Sequence, residues 1–391
     1  MKTMVRNVNL LAAALLLSLS IPWGVTGADN DSAKGEYFVY IGTYTRNTSK
    51  GIYGFRFTPS TGKMTPMGLV APIPSPSFLA VHPNQRFVYA TNEREYEEKM
   101  GNKVSAFAID PKSGQLTLLN RVASQGDGPV NDTVDKTGKA LVVANYRGGS
   151  LAVLPIQPDG SLGEATASDA HHPQGGGNPD RQRPIVHGVA VSPDGRFVAA
   201  AENGMDEVRM YRFDAGKGTL VPTDPPFIKL ATDLAPRHPA FHPNGKTLYI
   251  LNEHASSVTA LAYSAADGAV REIQTISTLP ADYPGKNSTG QLQVDTTGKF
   301  LYASNRGHDS IAVFAIDAAK GTLSPIQYVP TGGMTPRDFS LDPTGAWLFV
   351  GNQSSNTLTL FHVDAKSGRL TSAGAPLDVP EPTCIVFARI S

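Results

Sequence analysis

One short pattern recurs six times along the chain and restricts its folding more than any other feature: a β-rich strand, a tight polar turn, and a second strand that closes on a polar residue. The copies are "SFLAVHPNQRFVYATNE", "NDTVDKTGKALVVANYRG", "HGVAVSPDGRFVAAAENG", "PAFHPNGKTLYILNEH", "LQVDTTGKFLYASNRG" and "FSLDPTGAWLFVGNQ". Aligned on their turns, the second strands end at Asn92, Asn145, Glu202, Asn252, Asn305 and Asn352, roughly 50 residues apart, a spacing at which repeats build blades or solenoids. Each copy continues into an alternating segment such as "SVTALAYSA", "SIAVFAIDA" or "TLTLFHVDA", then a turn such as "ADG" or "KSG" and a shorter fourth strand.

Alternation with period two belongs to strands, whereas stacked helices would space their apolar residues by 3.6. Four antiparallel strands per unit predict an all-β chain, a β-propeller. Two fragments remain beside the six full units. "EYFVYIGTYTRNTSKGIYGFRFTPSTGKM", near the start, lacks an inner strand, and "EPTCIVFAR", at the end, is only an inner strand. Together they predict a seventh blade completed by the C-terminal strand, which pairs the edges that an open ring would expose.

The first 28 residues read as a secretory signal peptide: Lys2 and Arg6 precede an apolar run from Leu10 to Ile21, and small residues follow around Gly27 and Ala28. That run is too short for a comfortable span, so no membrane partner is expected, and the chain is expected in the periplasm or outside the cell. Residues 29–391 are expected to form a single propeller domain. A formal net charge of +0 gives no reason to expect nucleic acid as a partner. The single cysteine, Cys384, rules out an intramolecular disulfide despite export, and its apolar strand predicts a buried, inert thiol. The charged "EREYEEKMGN" and the Gly/Pro-rich "HHPQGGGNPDRQRP" read as insertions between strands.

The segment "APRHPAFHPNGKTLYILNEH" locates a site. With its turn at Asn244-Gly245, counting outward sets Arg237 level with Glu253 and His238 level with Asn252, about 25 Å from the turn at roughly 3.4 Å per residue. Corresponding positions around the ring are Thr43 and Tyr44, Asn92 and Glu93, Asn145 with Arg147, His187 with Glu202, Arg306 and Arg337. The basic side chains among them suit a carboxylate or phosphate. The recurring Asn is most simply a turn residue, and His82 and His242, beside the turns of the far side, read as structural.

Over nearly its whole mature length the chain resembles the 6-phosphogluconolactonase-like lactonase family, seven-bladed propellers that include carboxymuconate-lactonising enzymes. The resemblance rests on "GGGNPDRQRPIVHGVAVSPDGRFV", "APRHPAFHPNGKTLYILNE" and "GKFLYASNRGHDSIAVF". It implies four catalytic residues by motif, His187, Arg237, Glu253 and Arg306, to which the rim reading adds His238, Asn252, Arg337 and Arg147 as substrate contacts. Two departures stand out: Ile185 where many relatives carry a first His, and Gln291 where they carry a carboxylate.

The implied activity is hydrolysis of a small anionic or sugar-type lactone by general-base activation of water. No H-E-x-x-H, G-x-S-x-G or P-loop pattern occurs, so neither a metal nor a cofactor is expected. Lactonising cycloisomerisation of a muconate-type diacid, and a non-catalytic propeller that binds a ligand or protein, are the alternatives.

Overall fold

A computed structural model of the chain describes residues 35–93, 102–172 and 183–390. The expected signal peptide and most of both expected insertions lie outside the described residues. Seven antiparallel sheets form a closed ring. Their inner strands are Pro76–Val81, Pro129–Val134, Val186–Val191, Pro236–Phe241, Ser288–Val294, Pro336–Leu341 and Pro382–Arg389, numbered here as blades 1 to 7. Each inner strand packs against the next around a central channel. Six blades have four strands; in blade 6 the outer strand is split into Leu370–Ser372 and Leu377–Asp378.

Blade 7 closes the ring as the fragments predict. The C-terminal strand Pro382–Arg389 pairs antiparallel with Tyr37–Thr43, from Tyr37 opposite Arg389 to Gly42 opposite Cys384. Cys384 is buried, and burial pushes its thiol well above the ordinary range.

The core is divided among the blades, with one apolar cluster at each of the seven interfaces between neighbours. Polar bridges tie the same interfaces. Buried second-strand tyrosines donate to a glycine carbonyl in the outer turn of the next blade: Tyr40 to Gly114, Tyr89 to Gly160, Tyr249 to Gly321 and Tyr302 to Gly368. His82 and His242 bond the carbonyls of Gly138 and Gly298 in the next blade's inner turn, and so are structural. A buried hydroxyl that finds a partner avoids a desolvation cost of about 1–3 kcal/mol.

One irregularity repeats in every inner strand and aims the site. Where the strand leaves the mouth, its register with the second strand slips. The bulged residues are Ser77, Val130, His187, Arg237, the pair Gly290 and Gln291, Arg337 and Thr383. A bulge kinks the strand and re-aims the extra side chain. In five blades the kink is entered through a left-handed residue followed by proline: Ser75, Gly128, Ala235, Thr335 and Glu381.

Candidate active site

Four bulge residues, Val130, His187, Arg237 and Arg337, line a cavity of about 250 Å³ at one mouth of the channel. Tyr44, Arg46, Glu93, Tyr146, Glu253 and Gln353 complete its lining. The bulge also corrects the counting that set Arg237 level with Glu253. Glu253 donates its backbone N–H to Ala235, Asn252 lies opposite Pro236, and His238 lies opposite Leu251. Arg237 is the inserted residue, free of the strand's alternation.

Glu253 is the hub of one wall. Its Oε1 accepts from Arg306 at 2.5 Å and lies 3.6 Å from Arg237, while Oε2 accepts from Asn203 at 3.1 Å and lies 4.0 Å from His187 Nε2. Arg237 is fixed from behind by donating Nε–H to the Gly290 carbonyl at 2.6 Å, and its terminal nitrogen contacts His187 Nε2. Arg306 is likewise committed to the Thr289 carbonyl at 2.9 and 2.6 Å. Tyr146 packs edge-on against His187, 5.1 Å between ring centres.

Arg337 commands the opposite wall. It donates to Tyr44 Oη at 2.7 Å, and that phenol donates to Glu93 at 2.7 Å. The guanidinium of Arg46 covers the Tyr44 ring, 3.8 Å from its centre.

The electrostatics assign protonation states. Burial, with the Arg237 charge, holds His187 well below the usual imidazole range and therefore neutral at pH 7. Burial opposes ionisation of Glu253, but Arg237, His187 and Arg306 outweigh it and keep the carboxyl far below its usual range. Burial pulls Arg237 down to about 9, still charged at neutral pH. Burial, reinforced by Glu93 and opposed by Arg337, raises Tyr44 to about 12, so the phenol keeps its proton. Among the lining residues three arginines face two carboxylates, with Arg306 a fourth cation behind Glu253. The surplus is positive and suits an anionic or electron-rich ligand.

All four motif-implied residues meet here, and Arg337 joins them. Three other expected contacts do not. Asn252 is fully buried and turns into its own blade, donating to Ser257 and Thr259 at 3.0 and 2.9 Å, because it lies in the regular ladder one step before the bulge. Arg147 is exposed outside the pocket, and its neighbour Tyr146 supplies the lining instead. His238 sits one layer deeper and lines a second cavity in the channel. Glu202, a rim position by counting, is occupied by His171 at 2.5 Å and by the backbone N–H of Ile185.

Arg46, Tyr146, Asn203 and Gln353 carry no motif; only their position next to rim residues hints at them. Among the described residues no group of three or more His, Cys, Asp or Glu could hold a metal ion.

A closed seven-bladed ring with a basic, histidine-containing pocket at one mouth defines a class of propeller built to receive a small ligand. The family model described as "Lactonase, 7-bladed beta-propeller" matches residues 38–387, and the chain belongs to that family. It is 34% identical over 352 residues to a 6-phosphogluconolactonase of Bacillus subtilis, covering 90% of this chain and 98% of that one. The periplasmic gluconolactonase of Pseudomonas aeruginosa superposes with a TM-score of 0.84 at 31% identity, covering 91% of this chain and all 100% of that one. A Lactobacillus plantarum protein gives 0.82 at 32% identity, over 90% and 99% of the two chains.

Proposed function

We propose that the protein hydrolyses a sugar-type lactone at the mouth pocket, by direct attack of water and without a metal or cofactor. The observation that carries this reading is the neutral His187 held between Arg237 and Glu253. A water beside His187 Nε2 loses a proton to that nitrogen as its oxygen attacks the lactone carbonyl. Arg237 contacts the same nitrogen. A bound carbonyl oxygen draws the guanidinium onto itself, frees the imidazole lone pair, and gains a donor as it becomes an oxyanion. Glu253, kept ionised by Arg237 and Arg306, is a poor base and serves to orient Arg237, Arg306 and the imidazolium.

The leader expected from the first 28 residues and the likeness to a periplasmic gluconolactonase favour an exported enzyme acting on an unphosphorylated lactone. A likeness to a 6-phosphogluconolactonase, with the cationic Arg337 wall, supports a phosphorylated one. The deciding experiment is a pH-indicator assay of purified protein against gluconolactone, its 6-phosphate and other carboxylated lactones. His187→Ala should lower the rate on the responding substrate by roughly 10²- to 10⁴-fold, as for a lost general base, with the fold retained. If no lactone is opened, the ring is a binding propeller and the hydrolytic reading is wrong.

A further inference from the structure

Directly beneath the pocket floor lies a second cavity, about 320 Å³, lined by successive residues of the inner strands, among them Asn131 to Thr133, Gln291 to Gln293 and Asp338 to Ser340. It follows the channel for about 7–10 Å at roughly 3.4 Å per residue, toward the mouth opposite the substrate. His238 stands at its top, 5.3 Å from His187 between ring centres and nearly perpendicular to it.

The hydrogen bonds fix the state of His238. Asp338 accepts from the Ile385 backbone N–H at 2.7 Å and from Gln291 Nε2 at 2.8 Å. Gln291 Oε1 accepts from the Leu292 N–H at 2.9 Å, so this oxygen faces His238 Nδ1 at 2.7 Å as an acceptor only. Nδ1 therefore carries the proton and Nε2 the lone pair. Among the described residues the one side-chain hydrogen bond of His238 is this Nδ1 bond, and the ring lines the cavity. The charges around the ring are Arg237, Glu253 and Arg337 on the pocket side and Asp338 through Gln291, with Asp132 and Cys384 farther along the lining.

Lactone hydrolysis leaves a proton to dispose of. Water adds to the carbonyl carbon and gives one proton to His187; the ring C–O bond breaks and the alkoxide takes that proton back. The new carboxylic acid then ionises at neutral pH and releases one proton per turnover. The upper mouth is a poor exit, being rimmed by arginines and occupied by product. We propose that His238 takes this proton from the His187 side on Nε2 and passes it to water in the central channel, so that substrate and proton use opposite mouths. Burial and the Arg237 charge keep His238 well below the usual imidazole range, which makes the imidazolium short-lived, as a shuttle needs.

This inference rests on the hydrolytic reading, and one set of assays separates the two. On a lactone that wild type opens, His238→Ala in weakly buffered solution should lower kcat about tenfold, less than the 10²–10⁴-fold of a lost base, with KM unchanged. Added imidazole, small enough to enter the channel, should restore most of the rate. Gln291→Leu, which frees the tautomer without opening a cavity, should give a smaller loss of kcat that also depends on buffer concentration. A wild-type kcat retained by both variants, or a loss that imidazole does not relieve, overturns the proposal and leaves hydrolysis standing. A wild type inactive on every lactone overturns both.

Discussion

His187, Arg237 and Glu253 show how one buried charge sets the working state of its neighbours. Arg237 adds to the burial that depresses His187, and Glu253 opposes it. A base that must be neutral fails only when the pH falls through its folded pKa, here below the 6.5 of a free imidazole. The acid limb of kcat/KM should therefore lie well under pH 6.5. Arg237→Met should shift that limb upward as well as lower the rate, which a pH profile from 4 to 9 would reveal. Stability follows the same sign. The unfolded imidazole binds its proton near 6.5 and the folded one does not, so the contribution of His187 is full above that pH and is lost as the pH falls. A limb at or above 6.5 in wild type would exclude His187 as the base.

At the level of the strand, the repeated bulge matters more than the β-ladder it interrupts. Blade 5 has the widest version, in which Gly290 and Gln291 both lie between Thr289 and Leu292 in the register. A Cβ on Gly290 would meet the backbone oxygens of Pro336 and Arg337 at 2.7 Å and Ser304 Oγ at 2.6 Å. Gly290→Ala should thus destabilise the fold by about 1–3 kcal/mol, the usual cost of overpacking, read as a lowered denaturant midpoint. Activity should fall further than stability, because the Gly290 carbonyl anchors Arg237 Nε. The sequence predicts strands, turns and their order from period and turn chemistry, but the bulge breaks that period, and the proline that precedes it in five blades does not by itself mark an inserted residue. Counting from Gly245 is therefore one residue out below the bulge and two at the mouth, where Asn252 faces Pro236, and it credits Asn252 with a pocket contact it does not make.

The whole ring depends on closure. Pro382–Arg389 contributes to two interface clusters at once: Cys384 and Ala388 pack on the blade 1 side, Ile385 and Phe387 on the blade 6 side. Burial of Ile385 alone is worth about 1.5–3 kcal/mol, and the strand also pairs Tyr37–Thr43. Removing residues 382–391 should abolish the cooperative melt and produce aggregates on size-exclusion chromatography, through the two edges it exposes; a truncated chain that melts like wild type would refute closure as the ring's keystone. The sequence by itself determined the repeat, the strand period, the sharing of blade 7 between the chain ends, and the four motif positions. All of these are carried by residues close together in the chain or by copies of one unit. Only the tertiary structure decided which polar tips share a cavity. It brought Tyr44 of blade 7 to Arg337 of blade 6 and Glu93 of blade 1, left Arg147 outside, and sent His238 into the channel. Those choices are made by a one-residue slip in each inner strand and by contacts between blades far apart in sequence, and neither leaves a period for local reading to find.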